Sequence, residues 1–297
     1  MGVTPADKPT DVAVDSTFEQ SRLRAMPWSF LYTFPWWALA LVLISVWVAI
    51  SIAANEIYSN IFDQLKVGIA MTLRVAGVSY LCAFMIGLIV GIIRSNLPKP
   101  RSGLLGRFVS IIHVILYNFA TFFVMVMRGL PILIVLLIFA FVIVPAFRNY
   151  LAATFGIELE IRGSSVESAI IALAFTYGAF LSETFRAGIQ SIDRGQIEAA
   201  RSLGMTYSQT MRFIVLPQAI RRVLPPLGND FVAMIKDSSL VAILGIRDLT
   251  QLAKVSSGAS FRYLETYTTV ALLYLSMTII GSLIVRYLER RITLEHT

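Results

Sequence analysis

The chain reads as an all-α polytopic membrane protein of about six transmembrane helices, on three observations. Of its 297 residues, 57% are hydrophobic and only 14% are charged, whereas an ordinary soluble domain has about a quarter of its residues charged. Apolar runs of the roughly 20 residues needed to cross a hydrocarbon core recur along the chain. The basic residues behind the net charge of +7 sit beside those runs, as in cytoplasmic loops, and not on one face suited to nucleic acid.

The opening MGVTPADKPTDVAVDSTFEQ is polar and lacks the basic start of a cleaved signal, so a retained cytoplasmic tail is expected. Gly2 begins like a myristoylation site, but Ala6 stands where Ser or Thr is required. RLRAMPWSFLYTFPWW then places arginines and aromatics as at a membrane interface, completing a segment 1 to 35. Apolar runs at 36 to 54, 66 to 93, 130 to 147, 166 to 187 and 266 to 286 are the clear spans, with a cytoplasmic tail at 291 to 297. A sixth, 218 to 240, is interrupted by Pro225, Pro226, Gly228, Asn229 and Asp230. Cys82 is the one cysteine, so no intrachain disulfide can form, and His113 and His296 lack metal-ligand spacing.

The stretch 108 to 127 is also apolar, but charge parity argues against a full crossing. Arg94, Lys99, Arg101 and Arg107 fill one short loop without an acid, and Arg186, Arg194, Arg201, Arg212, Arg221 and Arg222 surround a second polar segment. Both belong inside by the positive-inside rule, so an even number of crossings must separate them. On this count 108 to 128 is expected to be an interfacial or re-entrant helix, ended by Arg128, Gly129 and Pro131. Gly87 and Gly91 form a small-xxx-small pair in the second span and predict close helix packing.

The second polar segment, DRGQIEAARSLGMTYSQTMRFIVLP, has more order than a connector requires. Asp193 with Gln196 has capping-box spacing and opens a short helix through EAARSL; Gly204 can close it in the left-handed conformation. Thr206 with Gln209 repeats the pattern and opens a second helix, from which Pro217 leads into the next span. Ile197, Ala200 and Leu203 share a face expected to rest on the protein, while Glu198 and Arg201 can pair at i, i+3.

This elbow resembles the EAA loop of ABC importer permeases, through Glu198, Ala199, Ala200, Gly204, Leu216 and Pro217. The resemblance continues through GIAMTLR, MRGLPIL, YGAFLSETFRAGI, LPQAIRRVLPPLGND, MIKDSSL and YLERRI, a set similar to the polar amino acid class of these permeases. RGLP and KDSSL stand where RGTP and KDTSL are frequent, and the tail and first span are additions.

The resemblance implies a five-helix type I importer core over 64 to 290, preceded by one extra helix, in the inner membrane of a prokaryote with both termini cytoplasmic. The loop 190 to 217 would sit in a groove of a separate ATPase subunit, with Gln196, Glu198, Ala199, Ala200, Gly204, Leu216 and Pro217 as the coupling residues. No cofactor is expected on this chain; ATP and Mg would be held by two partner ATPases. A second permease chain, identical or related, and an extracytoplasmic amino-acid-binding protein would complete the assembly. The cargo would be a polar amino acid such as glutamate, glutamine, aspartate, histidine or arginine. The sequence contains no Gly-Lys dipeptide, so it lacks a P-loop, and no catalytic residue set is evident.

Ionisable residues at membrane depth need partners or a watery cavity. Arg74, Glu183, Lys236, Asp237, Ser238 and Ser239 are therefore the pathway candidates, with Lys236 or Arg74 for a substrate carboxylate and Asp237 for its ammonium. Internal Lys236–Asp237 or Glu183–Arg186 pairs that only hold helices together are the competing reading. An ion-gradient-driven secondary transporter would also explain buried charges, but it leaves the elbow without a purpose.

Overall fold

The computed structural model describes residues 36 to 100, 102 to 158 and 160 to 294. The expected tail and interfacial segment, 1 to 35, and residues 295 to 297 lie outside the described residues. The helix α1 (Trp36–Ala54) has no charged residue and exposes Leu43, Ile44, Trp47 and Ile50. Its 19 residues extend about 28 Å at 1.5 Å per residue, close to the thickness of a hydrocarbon core.

The rest of the chain, from Ser51 onward, is one compact unit. Its helices are α2 (Glu56–Ser95), α3 (Leu104–Gly129), α4 (Ile132–Phe155), α5 (Val166–Gln190), α6 (Arg194–Ser202), α7 (Tyr207–Thr210), α8 (Leu216–Asp237), α9 (Leu249–Ser260) and α10 (Tyr263–Leu294). Among the described residues, α2, α3, α4, α5 and α10 are each long and apolar enough to cross a membrane. The spans expected at 66 to 93 and 266 to 286 are thus the central parts of longer helices. Asn55 caps α2 by accepting from the Ile57 N–H at 2.9 Å, so the helix starts ten residues before its apolar run.

The pair α2 and α5 forms the centre. A Cβ on Gly87 would lie 2.7 Å from Leu181 Cβ, and one on Gly91 would lie 2.8 Å from both Phe185 Cβ and the Ser182 carbonyl. On the opposing helix, Gly178 faces Ile86 in the same way. In lipid no hydrophobic drive presses helices together, so dispersion at near-backbone contact must do so, and small residues permit it. Around this seam one apolar cluster joins Leu65, Ala83, Leu181, Phe185, Val223, Met234 and Val270, and a second joins Val75, Leu136, Phe139, Ala169, Leu173 and Val241.

Both basic loops lie at the same end of this pair, because Arg94 contacts Glu183 at 3.0 Å and Gln190 Nε2 donates to the Ser95 carbonyl at 3.4 Å. The residues expected to form an interfacial or re-entrant helix, 108 to 128, belong to α3, a continuous helix of 26 residues that is long and apolar enough to cross a membrane. The α3 residue His113 shares a cavity wall with Tyr207 of the elbow, and Arg128 ends 5.6 Å over the Phe180 ring. That ring is ten residues, about 15 Å, from the end of α5. From there α4 continues, burying Val135, Leu136 and Phe139 with Ala169 and Leu173, and Gly163, just before α5, sits on the Ala140 carbonyl. Pro145 lacks an N–H for the preceding turn, and α4 accommodates it with a π turn at Phe139–Ile143.

The interrupted span is also corrected. Pro225 and Pro226 lie inside an unbroken α8, held by Tyr80 Oη donating to the Leu227 carbonyl at 2.7 Å and by Val285 of α10 against Gly228. The break occurs later, at a 3₁₀ stretch (Ser238–Leu244) and a left-handed Gly245 with φ +75°. Irregular backbone at such depth survives only when protein satisfies it. Here buried Asp248 accepts from the Gln251 and Thr250 N–H groups at 2.8 and 3.2 Å, and the Leu249 N–H donates to Thr72 Oγ1 at 3.2 Å.

Gly91→Val should lower the unfolding temperature of the purified chain, since overpacking a tight seam costs about 1–3 kcal/mol. Gly77→Ala is the matched control: a Cβ there meets nothing within 4 Å, and removing a mid-helix glycine should be neutral or stabilising by up to about 1 kcal/mol. A thermal unfolding series in one detergent measures both.

Candidate functional site

The elbow between α5 and α8 forms as two short capped helices. Asp193 caps α6, accepting from the Gly195 N–H at 2.6 Å, but the expected reciprocal half of that capping box is absent. Gln196 turns away instead, and its Oε1 accepts from Gln218 Nε2 at 2.6 Å, tying α6 to the first turn of α8. A second tie comes from Arg222, which donates to the Ser191 carbonyl. Two side-chain bonds thus fasten α6 and the end of α5 to the start of α8.

At the other end of α6, the Met205 N–H bonds the Ala200 carbonyl at 3.1 Å and the Gly204 N–H bonds the Arg201 carbonyl at 3.0 Å. This paired closure requires a left-handed residue, and Gly204 supplies it with φ +83°. The Thr206–Gln209 capping box forms completely: the Gln209 N–H donates to Thr206 Oγ1 at 3.3 Å, and Gln209 Oε1 accepts from the Thr206 N–H at 2.8 Å. Pro217 stands in the first turn of α8, and a π turn at Met211–Val215 absorbs its missing donor.

Faces differ from expectation in three places. Ala200 is buried and Ile197 half-buried, but Leu203 is 85% exposed because α6 has already ended and the chain is turning. The expected Glu198–Arg201 pair is not formed among the described residues, and both side chains are exposed. Of the two alanines named among the coupling residues, only Ala199 is on the open face; Ala200 packs inward. Leu203, Tyr207, Phe213 and Leu216 are exposed on the elbow among the described residues, with the Arg212 guanidinium over the Phe213 ring.

Above the elbow lies a cavity of about 480 Å³, lined by Arg128, Phe180, Glu183, Thr184, Arg222, Asp230 and neighbours. Glu183 is bound by Arg186 on its own helix and by Arg94 across the seam at 3.0 Å. The Glu183–Arg186 pair expected as the structural alternative thus exists, with Arg94 as a partner that helical spacing could not reveal. Arg128 rests on Phe180 without an acidic partner among the described residues, and Asp230 faces the same cavity. Neither was singled out from sequence, although RGLP at the end of α3 and the polar GND in α8 were visible.

The remaining pathway candidates do not line this cavity. Asp237 accepts from Tyr177 Oη at 2.6 Å, and Lys236 is exposed with no ion pair among the described residues, so the expected Lys236–Asp237 pair is not formed. Ser238 is buried and its Oγ donates to the Ile235 carbonyl at 2.7 Å; Ser239 is half-buried. Arg74 is exposed on α2, near enough to Glu167 to feel its charge.

A family model described as the binding-protein-dependent transport system inner membrane component matches residues 102 to 294. The chain is 34% identical over 237 residues to a probable glutamine ABC transporter permease protein of Bacillus subtilis (strain 168), covering 79% of this chain and 97% of that one. It is 31% identical over 224 residues to the glutamine transport system permease protein of Escherichia coli (strain K12), covering 75% and 90%. Among solved structures it resembles an amino acid ABC transporter crystallised with histidines, with 32% identity, a TM-score of 0.62, and 80% and 97% of the two chains covered.

If Glu183 chiefly joins α2 to α5, Glu183→Gln and Arg94→Ala should each destabilise by about 1–3 kcal/mol, and the double variant by much less than their sum. A double-mutant cycle on thermal unfolding without substrate measures this; full additivity would assign the two residues to separate roles.

Proposed function

Because the chain belongs to the family of binding-protein-dependent transport system inner membrane components, we propose that it is the membrane-spanning subunit of an ATP-driven importer of a polar amino acid. The observation that carries this reading is the elbow: a hinge closed by Gly204, fastened to α8 through Gln196 and Gln218, with Glu198, Ala199, Leu203 and Tyr207 turned outward. Such a body can seat in a groove of an ATPase subunit and hand its movement to α8. The chain itself carries no P-loop, so two ATPase partners supply ATP and Mg. A second permease chain closes the other side of the path, and an external binding protein delivers the amino acid, glutamine being the cargo in the names of the relatives above.

The path runs along α8 and the adjoining face of α5. Arg128 and Asp230 offer opposite charges in the open cavity, and Lys236 and Asp237 continue the polar line one to two turns further along α8. A gradient-driven transporter would use such charges too, but would have no need of a fastened external hinge. Alternating access then consists of two arrangements of these helices, biased by nucleotide through the elbow.

Gly204→Val should leave membrane insertion intact, because a Cβ there meets nothing within 4 Å, but should cost about 1–3 kcal/mol of backbone strain at the hinge. ATP hydrolysis should then proceed with little uptake in the reconstituted complex. Gly204→Asn, which tolerates the left-handed region, should retain most of the coupling; normal uptake in the valine variant would remove the hinge from the mechanism. Asp230→Asn should raise the substrate concentration needed for half-maximal uptake while basal ATP hydrolysis is unchanged.

A further inference from the structure

At the elbow end of the molecule, two cavities adjoin on either side of the N-terminal half of α3. One, of about 410 Å³, is lined by Asn96, Lys99, Ser110, His113 and Tyr207. The other, of about 330 Å³, is apolar, with Pro98, Pro100, Ile111, Val114 and Ile115 in its wall. They share Lys99 and Ser110, and Ser110 Oγ donates to the Lys99 carbonyl at 3.0 Å, holding the loop against the helix. Below the apolar cavity Ile115, Phe119 and Phe122 continue one exposed stripe along α3 toward the middle of α5.

We propose that this double cavity is a binding site for one anionic phospholipid of the leaflet on the elbow side, the phosphodiester beside Lys99 and His113 and an acyl chain along Ile111, Ile115 and Phe119. Charge complementarity favours this occupant. No acidic residue occurs between Asp63 and Glu158, and Lys99 is exposed without an ion pair among the described residues. A polar head compartment opening sideways onto an apolar stripe at a membrane end matches an amphiphile and not a soluble anion. Tyr207 walls the polar cavity from the elbow, so an occupied site would brace the first residue of α7 and couple lipid composition to the hinge.

The binding test does not depend on the transport reading, because it uses the full chain alone. In detergent, native mass spectrometry should show phosphatidylglycerol retained over phosphatidylcholine. Lys99→Gln should weaken that preference about fivefold, the value of one basic side chain at an anionic surface, about 1 kcal/mol, and Lys99→Glu should abolish it. Equal retention of the two lipids, or an unchanged preference in Lys99→Glu, overturns the proposal. Competition by soluble glycerol phosphate at equal concentration would make the site a phosphoester pocket and also overturn it. So would a Lys99→Gln variant that loses its ATPase partner on copurification while keeping its lipid, since the cavity would then belong to a protein interface. In vesicles containing the assembled complex, phosphatidylglycerol should stimulate uptake several-fold, and Lys99→Gln should remove the stimulation while leaving the rate in phosphatidylcholine unchanged.

Discussion

The near-backbone contact of α2 with α5 is the constraint from which the rest of the unit follows. Gly87, Gly91 and Gly178 let the two helices meet along a seam that larger side chains would hold open. In a bilayer this matters more than in water, because lipid tails are as apolar as leucine and only better packing favours protein over lipid. Once the seam exists, Arg94 can reach Glu183 and Gln190 can reach Ser95, so the two basic loops are locked to one end. Everything that faces the cytoplasm in the proposed mechanism is placed by those contacts.

The elbow is rigid within itself and fastened at two points. Its stiffness comes from local rules: an Asp cap, a left-handed glycine closure and a Thr–Gln capping box. Its usefulness comes from nonlocal contacts, the Gln196–Gln218 bond and the Arg222 bond to Ser191, which join it to α8 and to the end of α5. A push on the exposed face of α6 would therefore turn α8, and α8 carries Asp230 on the cavity side. In the proposed mechanism, hinge and path share one helix.

The two π turns and the paired prolines belong to the same theme. Pro145 and Pro217 each leave a preceding carbonyl without its donor, and a widened turn absorbs the misfit without breaking the rod. Pro225 and Pro226 stay within α8, where neighbours contact it on two sides, Tyr80 from α2 and Val285 from α10. The irregular backbone that follows α8, residues 238 to 248, is satisfied by buried Asp248 and Thr72.

Hydropathy and charge determined the helical class, most of the spans and the placement of the two basic loops at one end, because each depends on transfer energy summed over one segment. Spacing within the elbow likewise determined its two helices and its glycine turn, since caps bond residues only a few positions apart. Tertiary structure alone decided that two prolines do not break α8 and that Gln196 abandons its cap for Gln218. It also decided that Leu203 faces outward, that Glu183 belongs to Arg94 as well as Arg186, and that Arg128 and Asp230 share the cavity while Arg74 does not. Except at Leu203, which faces outward because α6 has already closed beside it, the deciding partner lies many residues away, and a one-dimensional pattern carries no energy term for a neighbour it cannot see.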